Sequence, residues 1–213
     1  MSSADLFGDG RDVDLGADAV LLSGFALPAA AALVQELRRV AAAAPFRHMV
    51  TPGGFRMSVA MTNCGSAGWI TDRTGYRYDA FDPQSGQPWP PLPFVFAELA
   101  ARAAKAAGFD NFGPDACLIN RYVPGARMSL HQDRNERDLG KPIVSVSLGL
   151  PAKFLFGGAK RGDRPQRVSV HHGDVVVWGG AARLNFHGVA PLADGLHPVL
   201  GRERINLTLR QAL

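Results

Sequence analysis

Residues 143–158 read IVSVSLGLPAKFLFGG. Apolar residues alternate with Ser145 and Ser147 in the first half, Gly149 and Pro151 interrupt, and a short aromatic run follows before Gly157 and Gly158. Short runs of β-branched and aromatic residues bounded by Gly and Pro read as strands joined by turns. The same texture extends outward on both sides. ACLINRY (116–122) precedes it; QRVSVHHGD (166–174), VVVWGG (175–180) and RINLTLRQ (204–211) follow, separated by PG, GG and GD turns. Many short strands at close spacing predict a β-sandwich or barrel over residues 114–213.

Upstream the period changes. PAAAALVQELRRVAAAA (28–44) reads as a helix with Pro28 near its start. PFVFAELAARAAKAA (93–107) reads as a second, ended by Gly108. Between them, about residues 45–91 are rich in Gly, Pro, Asn and aromatics, with a strand pair expected around FRMSVAMTN (55–63). The expected class is α+β, mainly β. It is one domain over 1–213, with two helices outside a C-terminal β-core from about 114 to 213 and the 45–91 segment laid over one end.

Bulk composition excludes several classes. The chain has 213 residues and is 46% hydrophobic, enough for a core and too apolar for a disordered chain. Its longest apolar runs fall far short of a bilayer span. The start, MSSADLFGDGRDVDLG, has neither a basic n-region nor an apolar h-region, so no secretory signal is expected and the cytoplasm is the expected compartment. The two cysteines, Cys64 and Cys117, form no CxxC or Cys/His array, which argues against structural zinc and a disulfide framework. A net charge of +4 permits a polyanionic partner without requiring one. Lys160, Arg161, Arg164 and Arg167 form a local basic group that a solvated hairpin tip explains equally well.

SLHQDRNERD (129–138) carries His131 and Asp133 one residue apart. In a strand, residues i and i+2 share a face, so both side chains can reach one ion. A third ligand is needed. His171 and His172 adjoin the Gly173-Asp174 turn, where strand ends usually face solvent. His187, in RLNFHGV after a Gly-rich turn, is the best candidate. Two histidines and one carboxylate leave positions open on non-haem Fe(II) for a co-substrate and O₂. A turn histidine satisfied by its own neighbours has the same spacing, and spacing alone favours it.

In RERINLTLR (202–210), Ile205, Leu207 and Leu209 alternate with Arg204, Asn206, Thr208 and Arg210. The polar face is either exposed or turned to a pocket that holds a dianion, since buried arginines without partners are costly. Two guanidinium forks suit a small dicarboxylate. Asn120 and Tyr122 share one strand face and can bind the same ligand. A metal triad beside such a face suggests an iron enzyme that uses 2-oxoglutarate.

Longer stretches carry a resemblance. PFRHMVTPGGFRMSVAMTNCG (45–65), GWITDRTGYRYDAFDPQSGQPWP (68–90), PDACLINRYVPGARMSLHQD (114–133), PIVSVSLGLPAKFLFGG (142–158), HGDVVVWGG (172–180) and RINLTLRQA (204–212) resemble the AlkB family of alkylated-nucleic-acid repair dioxygenases, over nearly the whole chain. The resemblance implies a double-stranded β-helix, or jelly roll, with a nucleotide-recognition lid in the 45–91 segment. It implies Fe(II) on His131, Asp133 and His187, and 2-oxoglutarate on Asn120, Tyr122, Arg204, Asn206 and Arg210. Trp69, Tyr76 and Arg161 match substrate-contacting positions. The implied reaction consumes O₂ and 2-oxoglutarate, hydroxylates an N-methyl group of a base such as 1-methyladenine or 3-methylcytosine, and releases formaldehyde, succinate and CO₂. The implied substrate is alkylated single-stranded DNA, with RNA, or duplex DNA by base flipping, as further substrates. A monomer without membrane contact is expected.

One position departs from the family. Where it carries Asp, two residues after the iron aspartate, this chain has Asn135, which keeps an acceptor but loses the charge that favours cationic bases. Asn185, two residues before His187, is a second polar feature of the pocket wall. A 2-oxoglutarate hydroxylase acting on a protein or small molecule is the alternative that the triad and the arginines allow. A non-catalytic nucleic-acid module is disfavoured by the intact triad.

Overall fold

The computed structural model describes residues 10–213. The first nine residues, part of the stretch read for a signal, lie outside the described residues.

A hairpin of β1 (Val13–Gly16) and β2 (Ala19–Leu22) leads through a 3₁₀ turn at Leu27–Ala29 into α1 (Ala30–Ala43). Strands β3 (Ala60–Gly65), β4 (Gly68–Asp72) and β5 (Gly75–Asp79) come next, then α2 (Phe94–Ala106). Eight strands complete the chain: β6 (Ala116–Tyr122), β7 (Met128–His131), β8 (Ile143–Gly149), β9 (Ala152–Phe156), β10 (Gln166–Val170), β11 (Val175–Trp178), β12 (His187–Val189) and β13 (Arg204–Arg210).

They form a seven-stranded sheet, β1-β2-β11-β8-β13-β6-β3, and a four-stranded sheet, β10-β9-β12-β7. From β6 onward the chain passes repeatedly between the two sheets, and all pairings are antiparallel. This is a double-stranded β-helix, the jelly roll expected.

Two cores follow from the period of two. Ile205, Leu207 and Leu209 of β13, with Val144 and Val146 of β8 and Val175 and Val177 of β11, meet Leu33, Leu37 and Val40 of α1 and Phe96, Leu99 and Ala103 of α2. Between the sheets, Ile143, Val176 and Trp178 pack on Phe154, Phe156 and Val189. The large sheet is therefore covered on both faces. That explains why β8 and β13 are buried at every position, including Ser145, Ser147, Arg204, Asn206, Thr208 and Arg210. The exposed-face explanation of those arginines is excluded.

Both helices lie where expected. Pro28 sits in the 3₁₀ turn before α1, where a missing N–H costs nothing. Gly108 takes φ +88° after α2, and the Phe109 amide returns to the Ala104 carbonyl to close the helix end. Two local expectations change. In the 55–63 stretch only the second half is strand. It pairs with distant β6 rather than with its neighbour, because Met61 and Cys64 have core to enter on either side of the sheet. His172 is turned inward, not to solvent. It is buried, its Nδ1 accepts the Gly149 amide at 3.0 Å, and its ring lies 4.5 Å from that of His197.

Candidate active site

A cavity of about 860 Å³ opens between the sheets and under the β4–β5 hairpin. Its floor carries His131, Asp133 and His187. His131 ends β7 and His187 begins β12, where the two are direct cross-strand partners with ring centroids 4.4 Å apart. Asp133 lies just beyond β7, Oδ1 at 3.7 Å from His131 Nε2 and Oδ2 at 3.6 Å from His187 Nε2. One ligand atom from each falls within 4.8 Å of the others.

The tautomers suit a metal. His131 Nδ1 donates to the Ser129 carbonyl at 2.9 Å, and His187 Nδ1 to the Asn185 carbonyl at 3.0 Å. A carbonyl only accepts, so each Nδ1 carries the proton and each Nε2 presents a lone pair to the cluster. Desolvation, and after it repulsion from His187, hold His131 down to about 4, so it is neutral at pH 7. Burial alone would raise the Asp133 pKa. Arg210 beside it outweighs burial and keeps the carboxylate charged, well below the usual range. The set fits one divalent first-row ion, whose bonds to such N and O atoms are about 2.0–2.2 Å.

Arg210 reaches Asp133 Oδ2 through Nη2 at 2.6 Å and Nε at 3.2 Å. Its Nε also lies 3.4 Å from Glu136 Oε1. Glu136 is held on its other side by Arg183, which donates to Oε2 at 3.0 Å and to the Asp133 carbonyl at 2.7 Å. Sequence reading did not single out Glu136, Arg183 or Tyr78, the third partner of Glu136. Each is an ordinary charged or aromatic residue in its local context, and only long-range contacts bring them together.

Arg204 differs. It is almost fully buried, with Nη2 donating to Ser147 Oγ at 3.0 Å, while Nε and Nη1 find no acceptor and no carboxylate pairs with it among the described residues. Its guanidinium lies 5.0 Å from the Tyr122 ring centroid, across the register pair Arg204–Tyr122. Next along the strand, Asn206 faces Asn120. The Asn120 amide donates to Asn206 Oδ1 at 3.3 Å, and Asn120 Oδ1 is left without a partner. Ser145 Oγ, at 2.8 Å, accepts from Asn206. A buried cation with unused donors needs an anion. The carboxylate of an acid entering the cavity beside the triad fits that need, so these residues fit both iron and 2-oxoglutarate.

Toward the mouth, Trp69 of β4 and Tyr76 of β5 are stacked, centroids 5.7 Å apart and planes at 25°. Asn63 fixes Trp69 by bonding both its backbone amide and its carbonyl. Gly68 is required here, since a Cβ would lie 2.5 Å from the Trp89 ring. The Trp69 indole donates to Asn135 Oδ1 at 3.2 Å. Arg161 lines the mouth, 5.7 Å from the Phe186 ring centroid, whereas Lys160, Arg164 and Arg167 of the same basic group do not line it. The twelve residues assigned from the sequence to iron, 2-oxoglutarate and substrate all line this one cavity, whereas Asn185, expected on its wall, is not among the lining residues.

The family model of the 2OG-Fe(II) oxygenase superfamily matches residues 18–210. The alpha-ketoglutarate-dependent dioxygenase AlkB of Escherichia coli (strain K12) is 58% identical over 98% of this chain and 97% of that protein. The nucleic acid dioxygenase ALKBH1 of Mus musculus is 36% identical over 60% of this chain and 33% of that protein. The solved structure of OsALKBH1 has a TM-score of 0.82 at 27% identity, covering 94% of this chain and 100% of that one. Matched along its length by that superfamily and by AlkB, and carrying residues that fit both iron and the keto acid, this chain belongs to the AlkB family of Fe(II)- and 2-oxoglutarate-dependent dioxygenases.

Proposed function

We propose that the protein removes N-alkyl groups from nucleic-acid bases by oxidation, a direct reversal of alkylation damage. Alkylated single-stranded DNA is the main substrate, with RNA, or duplex DNA after base flipping, as further ones. The observation that carries the reading is the shared cavity. Its floor joins a His/Asp/His cluster to an arginine lacking an anion, its mouth presents stacked aromatics and arginines, and Asp133 is the only carboxylate among the described lining residues. The resemblance to the AlkB family and the likeness to a nucleic acid dioxygenase point the same way.

In this reading His131, Asp133 and His187 hold iron through Nε2, a carboxylate oxygen and Nε2. Arg204 and Arg210 bind the carboxylates of 2-oxoglutarate, with Asn120, Tyr122 and Asn206 completing that wall, and Arg210 also orients Asp133. When bound, iron and 2-oxoglutarate supply the oxidation: O₂ and the keto acid are consumed, succinate and CO₂ leave, and an N–CH₃ becomes N–CH₂OH. The hemiaminal then loses formaldehyde and returns the base N–H. Trp69 stacks on the flipped base, Tyr76 and Arg161 hold its backbone, and Asn135 contacts its exocyclic edge. Residues from about 45 to 91 serve as the nucleotide-recognition lid of a single catalytic domain, which works as a monomer in the bacterial cytoplasm. No helix among the described residues is long and apolar enough to cross a membrane.

The test is formaldehyde release from single-stranded oligonucleotides carrying 1-methyladenine or 1-methylguanine, with Fe(II), 2-oxoglutarate and O₂. Release from either supports repair. Release from neither, with 2-oxoglutarate turnover intact, moves the assignment to a hydroxylase of a protein or small molecule.

A further inference from the structure

The ladder that joins the two histidines ends at them. His131 pairs with His187, the register slips before Val189 meets Met128, and a Cβ at Gly188 would come within 2.6 Å of the Met128 carbonyl. Past the pair, residues 132–136 and 183–186 run outside any strand. No ladder pair therefore holds Asp133, two residues beyond the end of β7, beside His187.

Two side chains span that gap, each reaching from one segment to a carbonyl of the other. Gln132 Nε2 donates to the Leu184 carbonyl at 2.6 Å, and Arg183 Nη1 donates to the Asp133 carbonyl at 2.7 Å. A carbonyl only accepts, so the end of the Gln132 amide that faces Leu184 is its NH₂. The far segment is itself anchored. The Phe186 amide donates to the Gly158 carbonyl at 2.9 Å, and the Gly157 amide to the Phe186 carbonyl at 2.8 Å. Gln132 thus ties the stretch between two ligands to a fixed stretch that ends in the third.

The two bridging residues differ in what else they do. Arg183 is buried and also donates to the Lys141 carbonyl at 2.9 Å and to Glu136, so it belongs to the fold as well as to the site. Gln132 is half-buried and lines the cavity, and the Leu184 carbonyl is the one partner of its side chain among the described residues. An amide with access to water gains little net stability from one such bond. Its consequence is geometric.

We infer that Gln132 is a positioning residue of the metal centre: by holding the Leu184 carbonyl it keeps the His131–Asp133 stretch set against the segment that delivers His187, so that the three ligands stand ready for one ion. This rests on the ligand assignment above and deepens it.

The test is calorimetric titration of the metal-free protein with Mn(II), for the wild type, Gln132→Met and Gln132→Arg. The melting temperature of each metal-free protein and hydrogen exchange at the Asn185 and Phe186 amides are measured beside it. Met keeps the length of the side chain but cannot donate. Loss of an orienting contact around a metal costs ~10–100-fold in affinity, and the lower end, about 10-fold, is expected for Gln132→Met. Its melting temperature should match the wild type, and exchange at both amides should be faster. Arg restores a donor with enough reach, so Gln132→Arg should return exchange to the wild-type rate. Wild-type Mn(II) affinity in Gln132→Met, a loss matched by a lower melting temperature, or exchange that stays fast in Gln132→Arg overturns the positioning role and leaves the ligand assignment standing. A wild-type protein that binds no Mn(II) would defeat the ligand assignment itself, and the positioning role with it.

Discussion

The Tyr78 hydroxyl donates to Glu136 Oε1 at 2.6 Å, and through that carboxylate the β4–β5 hairpin is tied to the arginine that orients Asp133. Tyr78 is a dependable donor. Burial, and with it the neighbouring carboxylates, raises its pKa so far that the hydroxyl stays protonated at any physiological pH. Arg210 answers from the other side: burial works against its charge, but Asp133, Tyr78 and Glu136 outweigh burial and hold its pKa above the ordinary value.

Tyr78→Phe removes that link while Glu136 keeps both arginines. A hydrogen bond to a charged group contributes ~1.5–3 kcal/mol, so the hairpin should open more easily by that order. Hydrogen exchange should speed up at the amides of residues 68–79 and much less in β8 and β13. Uniform protection across the hairpin would show that the tie is not mechanical.

Arg210→Lys should weaken metal binding without removing a ligand. A lysine ammonium cannot span Asp133 and Glu136 as the guanidinium does, and loss of an orienting partner costs ~10–100-fold in metal affinity. Calorimetric titration with Mn(II) checks this. His131→Ala and Asp133→Ala should lose more than Arg210→Lys, and unaltered 2-oxoglutarate turnover in His131→Ala would refute the ligand assignment.

Arg204→Gln deletes the buried charge that lacks an anion among the described residues. Truncating one side of a buried charge pair costs about 2–5 kcal/mol, so the KM for 2-oxoglutarate should rise on the order of 100-fold. The apo protein should be no less stable, since an uncompensated buried cation is gone. A fall in both apo stability and 2-oxoglutarate affinity would point to a structural role instead.

Asn135→Asp keeps the acceptor for the Trp69 indole, 3.2 Å away, and adds a negative charge at the pocket mouth. It should raise the ratio of 1-methyladenine to 1-methylguanine turnover, because a carboxylate favours the cationic base. An unchanged ratio would remove Asn135 from the specificity set.

The His172–His197 pair should make the fold acid-sensitive. Burial, and then the positive charge of His197, lowers the His172 pKa; burial lowers that of His197. Both are then neutral in the folded state at pH values where the unfolded chain, at about 6.5, already binds protons. The unfolded state takes up more protons, so stability is full above that value and falls as pH drops through it. The melting temperature should decline from pH 7 to pH 5. In His172→Asn, whose side-chain oxygen can replace Nδ1 as acceptor for Gly149, the decline should be shallower.

Much of this site is readable residue by residue. The i, i+2 spacing of His131 and Asp133, the alternation in β13 and the short apolar runs after residue 114 are local patterns that follow from the strand period. The N-terminal hairpin is not legible in the sequence because Val13–Gly16 and Ala19–Leu22 are four-residue strands, too short to show a period, and join the sheet only as β1 pairs with β2 and β2 with β11. The local context of His172, a turn, points it outward, yet it is buried. Its partner His197 lies 4.5 Å away across a separate loop.

Local chemistry thus chose the ligand types, the strand class and the polar face of β13. Whether that face met water or a cavity depended on the helices covering the opposite face and the small sheet closing over this one. The same division runs through the metal centre. His131 and Asp133 were neighbours in the chain, but His187 joined them through antiparallel pairing of β12 with β7, and Arg210, Glu136 and Arg183 through the closing of the two sheets. Periodicity is a property of a segment, whereas the partner of a buried charge is a property of what packs against it. That is why the arginine that pairs with Asp133 and the one left without an anion look alike in RINLTLR and differ only in the folded chain.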